Sequence, residues 1–263
     1  MTGRLVMVTG GNRGIGLEIC RKLVKSGDKV LMTSRNAQAG AAAAEAIEKD
    51  TGVNGGCEVL QLDAGDAQSV QRLVDVVKDK YDGKLEGLIH NAGVLLNPWD
   101  ADAFSQAKTV NYETPVAMTV ALAPHVAPGC RVVMVSSGWG QLNEIPSSSS
   151  YMATLTTAQT LEDLNSLQFQ ADDPLKHVSS PATYKLTKAM LNRATYILSG
   201  SKLLAAKDIT INACCPGWCR TDMGGGNATR SPAQGADSAL WILNHPAPGP
   251  NGRFFRDGRE LVW

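Results

Sequence analysis

Short runs of apolar and β-branched residues alternate along the chain with longer segments whose apolar residues recur at helical spacing. LVMVTG precedes GIGLEICRKLVKSG, KVLMTS precedes AAAAEAIEKD, EVLQL precedes SVQRLVDVVKDKY, and LEGLIHNAG precedes a helical segment through Val126. The rhythm continues with RVVMVSS, a helix over Thr183 to Leu204, DITINACCPG, a helix near Pro232 to Asn244 and a last strand near GRFF. Parallel strands need crossover connections, and a helix after each strand supplies one. The pattern therefore predicts an α/β, doubly wound parallel sheet with helices on both faces, built as a single domain over residues 1–263.

The βα rhythm breaks between Gly138 and Pro181, which predicts an insertion at about residues 139–180. Within it, the piece from Thr156 to Phe169 reads as one helix. Leu161, Leu164 and Leu167 recur every three residues and form an apolar stripe, with Glu162 and Asp163 turned away. Ala41 to Ala44 suit a helix, and Ser147 to Ser150 suit a loop.

Composition narrows the function. Lys and Arg total 25 and Asp and Glu total 25, so no global field favours nucleic acid or an anionic membrane, and any charged partner must meet a local site. No apolar run nears the roughly 20 residues that span a bilayer, and the N-terminal MTGRLVMVTGG enters a strand without a cleavable signal pattern; a soluble, cytoplasmic protein is expected. The six cysteines, Cys20, Cys57, Cys130, Cys214, Cys215 and Cys219, lack the framework of a small secreted domain and are expected to be reduced. No metal site is expected either: no second cysteine pair supports Cys214, Cys215 and Cys219, and His90, His125, His177 and His245 are scattered.

The stretch VTGGNRGIG places Gly10, Gly14 and Gly16 after a strand and before a helix. Small residues there permit a tight turn and close approach of a pyrophosphate, while the helix N-terminus offers free N–H groups and partial positive charge. A site for the NAD 2′-hydroxyl would call for Asp or Glu at the end of the second strand, yet the chain has Ser34 and Arg35. Arg35 and Arg13 instead supply two guanidinium groups suited to a 2′-phosphate, so NADP(H) is the predicted cofactor. Asn12 and Ile15 belong to the same loop. Asp63, with Ala64 beside it, follows the third strand and is positioned either to accept from an adenine amino group or to cap the next helix.

Ser136 and Ser137 end the fifth strand, and Tyr184-x-x-x-Lys188 puts Lys188 one helical turn from Tyr184. A nearby ammonium and an oxidised nicotinamide would both favour the phenolate, so the Tyr184 pKa is expected to lie below its usual value of ~10. Tyr184 would then exchange a proton with a substrate oxygen while hydride moves.

TGGNRGIG, the NAG of Asn91, Ala92 and Gly93, then Asn111, VSS, YKLTK and PGWCRTDM stand in the order found in the short-chain dehydrogenase/reductase family, which the chain resembles over nearly its whole length. That resemblance implies the Rossmann fold. Through NACCPGWCRTDM and the long gap between Ser137 and Tyr184, the chain is most similar to the monomeric NADPH-dependent carbonyl reductases of the family. The resemblance implies that Ser137 bonds the substrate oxygen, Tyr184 is the general acid/base, Lys188 holds the nicotinamide ribose, and Asn111 maintains a water-linked proton relay. It further implies that Asn91, Ala92 and Gly93 line the adenine-ribose side and that Pro216, Gly217, Trp218 and Thr221 wrap the nicotinamide.

Trp139, Trp218 and Met223 flank the expected cleft, either as an apolar wall for flat ketones or quinones or as packed core. The expected activity is NADPH-dependent reduction of aldehydes, ketones or quinones, with a small-molecule carbonyl compound as partner. A steroid, terpenoid or alkaloid ketone oxidoreductase would use the same chemistry, and a catalytically silent NADP sensor is a rival of another class. In tetrameric members of the family the Tyr/Lys helix packs on a second subunit, so a leucine stripe that covers it would leave a monomer.

Overall fold

The computed structural model describes residues 3–178 and 181–263, so the last two residues of the expected 139–180 segment lie outside the described part. Eight strands form one sheet: β1 (Leu5–Val8), β2 (Lys29–Ser34), β3 (Cys57–Gln61), β4 (Leu85–His90), β5 (Val126–Val135), β6 (Thr210–Cys214), β7 (Phe254–Arg256) and β8 (Arg259–Leu261). Their order is β3-β2-β1-β4-β5-β6-β7-β8. Every neighbouring pair is parallel except β7 and β8, which are antiparallel. The sheet is parallel as expected through β7; β8, beyond the last strand the sequence pattern predicts, runs antiparallel because the turn Asp257–Gly258, with φ of 51° and 75°, folds it straight back on β7.

Helices cover both faces, as in the doubly wound fold. The helices α1 (Gly14–Lys25), α2 (Ala37–Thr51) and α10 (Pro232–Asn244) cover one face, and α3 (Ala67–Tyr81), α5 (Thr114–Leu122) and α8 (Ala182–Ser199) cover the other. Alternation along β1 shows why both faces are filled: Val6 and Val8 pack with Ile19, Leu23 and Leu243, while Met7 packs with Leu73, Val77 and Leu122. A strand buried on both sides needs an unbroken apolar run, which is what LVMV supplies. Helix starts follow capping chemistry. Asn36 caps α2 by accepting from the Ala39 amide at 2.9 Å, and Ser231 and Gln234 cap α10 reciprocally, with Pro232 at its first turn.

Three helical expectations change in detail. The segment after β4 holds α4 (Ala101–Lys108), a wider π turn over Thr109–Glu113, then α5. The helix from Thr183 to Leu204 is two helices, because Gly200 ends α8 and the Ser201 side chain caps a short α9 (Lys202–Ala205). The single helix from Thr156 to Phe169 is also two, α6 (Met152–Thr157) and α7 (Leu161–Asn165). The chain breaks there because Arg193 of α8 captures the Ala158 carbonyl, donating from Nε at 2.8 Å and also from Nη2, while Thr160 and Asp163 form a capping box that restarts the helix.

The leucine stripe does cover α8. Leu164 and Leu167 are buried and Leu161 partly so, in one cluster with Leu155, Leu175 and the α8 residues Leu186, Met190 and Ala194. Glu162 and Asp163 face solvent. Even polar positions of α8 are enclosed: Lys185 is buried against Glu144, Nζ to Oε2 2.6 Å.

Candidate active site

The parallel order reverses at β1, which lies between β2 and β4, and such a switch point opens a crevice beyond the carboxyl ends of the strands. A cleft of about 1600 Å³ lies there. Its walls include every candidate site residue of the sequence except Gly16 and Asn111, which stand just behind it.

At one end the glycine loop turns from β1 into α1. Gly10 and Gly14 take left-handed φ values of 62° and 56°. Gly16 is a point of close approach: a Cβ there would stand 2.3 Å from the Gly10 carbonyl oxygen and 2.5 Å from Asn91 Nδ2. That Asn91 amide donates to the Thr9 and Gly10 carbonyls at 3.0 and 3.1 Å, and the Thr9 hydroxyl accepts from the Asn91 and Ala92 amides at 2.9 and 3.0 Å. Asn91 therefore ties the end of β4 to the loop, and Ala92 and Gly93 continue along the cleft wall. The fit to a dinucleotide is good: no side chain caps the N-terminus of α1 by a hydrogen bond, so its first amides are free to meet phosphate.

Arg13 sits at the cap position of α1, and its Nη1 pairs with Asp222 Oδ2 at 2.8 Å; both side chains are more than two-thirds exposed. Arg35 is exposed beyond β2 and makes no ion pair among the described residues. Asp63 does not cap the next helix, which corrects one of its two readings. Asp66 does so, accepting from the Gln68 amide at 2.9 Å, while Asp63 Oδ1 accepts from Gly65 and shapes the cleft edge. The Ala64 carbonyl accepts from the Thr114 hydroxyl at 2.7 Å.

Near the middle of the cleft Ser137 follows β5, and its Oγ accepts from the Trp139 amide at 3.2 Å. Tyr184 and Lys188, on α8, are both buried. Lys188 Nζ donates to the Val135 carbonyl at 2.9 Å and lies 5.7 Å from the centroid of the Tyr184 ring. Burial pushes the Tyr184 pKa up to about 12, with a hydrogen bond from Ser137 pulling it down and Cys215 nearby raising it further. Burial also pulls Lys188 down to about 8, against a small opposing effect of Cys214. In the polypeptide alone the phenol pKa is raised rather than lowered: loss of hydration is the largest influence, and the Lys188 ammonium is directed at the Val135 carbonyl. At neutral pH the phenol keeps its proton, the form a proton donor needs.

Asn111 lies on the π turn, a geometry that recurs at functional sites. Its Oδ1 accepts from the Val94 amide at 2.8 Å, and its Nδ2 donates to the Val94 carbonyl at 2.9 Å and the Thr187 hydroxyl at 3.1 Å. A Cβ at Gly93 would lie 3.2 Å from Asn111 Oδ1 and 3.6 Å from Lys188 Nζ, so the two groups border one small space.

The far wall is apolar and exposed. Trp139, Trp218 and Met223 are 39%, 53% and 45% exposed and all line the cleft, which excludes the packed-core reading. Trp139 meets the Tyr184 ring edge-on at 6.1 Å, and the Trp218 indole donates to the Gly224 carbonyl at 2.8 Å. Pro216, Gly217 and Thr221 carry this wall back to the glycine loop, where Thr221 Cγ2 would lie 3.1 Å from a Cβ at Gly14. The six cysteines are free and buried. Among the described residues no three His, Cys, Asp or Glu side chains gather as a metal site, and no helix is long and apolar enough to cross a membrane. Sequence reasoning missed Thr9, Thr187, Asp222 and Arg256, each of which acts on the site through contacts distant in the chain.

The family model of the short chain dehydrogenases matches residues 4–166. Carbonyl reductase (NADPH) 1 of Oryctolagus cuniculus is 34% identical, with 99% of this chain and 98% of the relative aligned. A (+)-neomenthol dehydrogenase of Arabidopsis thaliana is 30% identical over 97% and 96% of the two chains. Among solved structures, salutaridine reductase from Papaver somniferum superimposes with a TM-score of 0.82 at 27% identity, covering 97% of this chain and 99% of the other. The chain belongs to the short-chain dehydrogenase/reductase family of oxidoreductases.

Proposed function

We propose that the chain reduces aldehydes, ketones or quinones with NADPH and that Tyr184 supplies the proton. The observation that carries this reading is the convergence of Ser137, Tyr184 and Lys188 in one cleft, between a glycine loop fit for pyrophosphate and a wall of Trp139, Trp218 and Met223. The carbonyl reductase (NADPH) relative supports NADP(H) as cofactor, as do the two exposed arginines Arg13 and Arg35 at the loop end. When bound, the cofactor supplies the hydride. The chain supplies the rest: the Ser137 hydroxyl bonds the carbonyl oxygen, and the buried Tyr184 hydroxyl passes its proton to that oxygen as charge develops there. Lys188 keeps positive charge beside the phenol and eases its ionisation, while Asn111 holds Val94 and so the cleft wall next to Lys188. Trp139 and Trp218 offer flat faces for a flat substrate.

NADPH oxidation against quinones, aromatic aldehydes, steroids and monoterpene ketones tests this reading. Turnover with at least one class is expected, and none with any class overturns it. A narrower reading, a dedicated terpenoid or alkaloid ketone reductase, is favoured by the likeness to neomenthol dehydrogenase and salutaridine reductase; a large preference for such ketones in the same screen would select it.

The enclosure of α8 by the chain's own α6 and α7 supports a monomer. Light scattering over a wide concentration range should return the mass of one chain throughout. A stable tetramer would mean that α6 and α7 do not replace a subunit contact.

A further inference from the structure

Arg256, the last residue of β7, lines the cleft on the substrate side, next to the Ser137 strand end. Its Nη2 donates to Cys215 Sγ at 3.0 Å, a weak acceptor that already receives the Gly138 amide at 3.0 Å and the Gly217 amide at 3.3 Å. The Nε of Arg256 is buried with no hydrogen-bond partner. No carboxylate pairs with Arg256 among the described residues. The adjacent Asp257 is held by Arg230 at 2.7 and 2.8 Å and by Ser238 at 3.3 Å. Room for the guanidinium exists because residue 138 is glycine: a Cβ there would lie 2.7 Å from Arg256 Nη2.

A guanidinium kept beside Ser137 with unspent donors and no carboxylate in bonding contact, its neighbour Asp257 being taken by Arg230, is an unfavourable arrangement for the protein alone. It becomes favourable when an anion arrives, because a guanidinium presents its donors as a planar fork that matches a carboxylate. We propose that Arg256 is a specificity-determining residue that anchors a carboxylate on the substrate, so that the preferred substrates are carbonyl compounds bearing an acid group on a flat or apolar body. This deepens the carbonyl-reductase reading and rests on it. The apolar body lies along Trp139 and Trp218, the carbonyl meets Ser137 and Tyr184, and the carboxylate pairs with Arg256.

The test compares the ortho, meta and para formylbenzoates, each against its own methyl ester, as substrates with NADPH. At least one acid should exceed its ester in kcat/KM by about 10-fold or more, the effect of one charge-assisted contact, and the difference should lie mainly in KM. Arg256→Met should abolish that acid-to-ester preference, and Arg256→Lys should restore part of it. In parallel, benzoate is titrated into the enzyme–NADP complex by tryptophan fluorescence; saturable quenching is expected for wild type and at least 10-fold weaker binding for Arg256→Met. Wild-type preference for none of the acids, an unchanged ratio in Arg256→Met, or equal benzoate binding by the two proteins overturns the proposal. If neither acids nor esters are reduced, the carbonyl-reductase reading is decided by the wider screen of quinones, steroids and monoterpene ketones, and the benzoate titration still decides the role of Arg256.

Discussion

Tyr184→Phe is expected to hold the NADPH dissociation constant within about threefold of wild type while lowering kcat for carbonyl reduction by about 10²-fold or more, the usual range for a lost general acid. The substitution removes one oxygen and leaves the ring, so the edge-on contact with Trp139 and the packing of α8 survive. Only the hydroxyl proposed to carry the proton is gone. Its pKa of about 12 keeps it loaded throughout the neutral range, so the loss should be as large at pH 6 as at pH 8. Fluorescence titration of NADPH with single-turnover measurement of its oxidation separates binding from chemistry. Wild-type turnover by the phenylalanine variant would remove Tyr184 from the proton-donor role.

The parts of the molecule legible in the sequence are those with local signatures. Strand and helix alternation is a property of neighbouring residues, so β1 to β4, β6, β7 and α10 stand where the pattern predicts them, while β5 begins at Val126, five residues before the predicted run, and ends at Val135, before the two serines. The same holds for Gly10, Gly14 and Gly16 and for Tyr184 and Lys188, whose spacing already implies a shared turn or a shared helix face. What escaped was set by tertiary contacts. Nothing near Ala158 announces a break; it depends on Arg193, which arrives from α8. A Thr160-x-x-Asp163 cap was present in the letters, but the regular leucine spacing across it suggested one continuous helix. Asp222 reaches Arg13, and Arg256 reaches Cys215, across long loops that no spacing rule connects. The raised Tyr184 pKa of the polypeptide alone has a related cause. Attraction to Lys188 can be argued from spacing, whereas burial is a property of the whole fold, and here burial is the larger effect.

Replacing Arg35 by Asp should lower the ratio of kcat/KM for NADPH to that for NADH by about 10²-fold, because one charge-assisted contact is lost and repulsion is added. Arg35 is the better of the two arginines to change. Arg13 already holds Asp222, and an exposed pair of that kind contributes only about 0–1 kcal/mol, so a dianionic phosphate would displace the carboxylate readily. Arg35 carries no such competitor, and its side chain lies beyond the end of β2, where an acidic residue would instead suit a ribose hydroxyl. The aspartate variant should therefore gain on NADH while it loses on NADPH. Both arginines are exposed, so the wild-type preference should also weaken as salt rises, whereas the variant should show little such dependence. Steady-state kinetics with each cofactor at low and high ionic strength measures all of this. Equal use of NADH and NADPH by the wild type, or an aspartate variant that keeps its preference for NADPH, would mean that Arg13 and Arg35 do not read the phosphate.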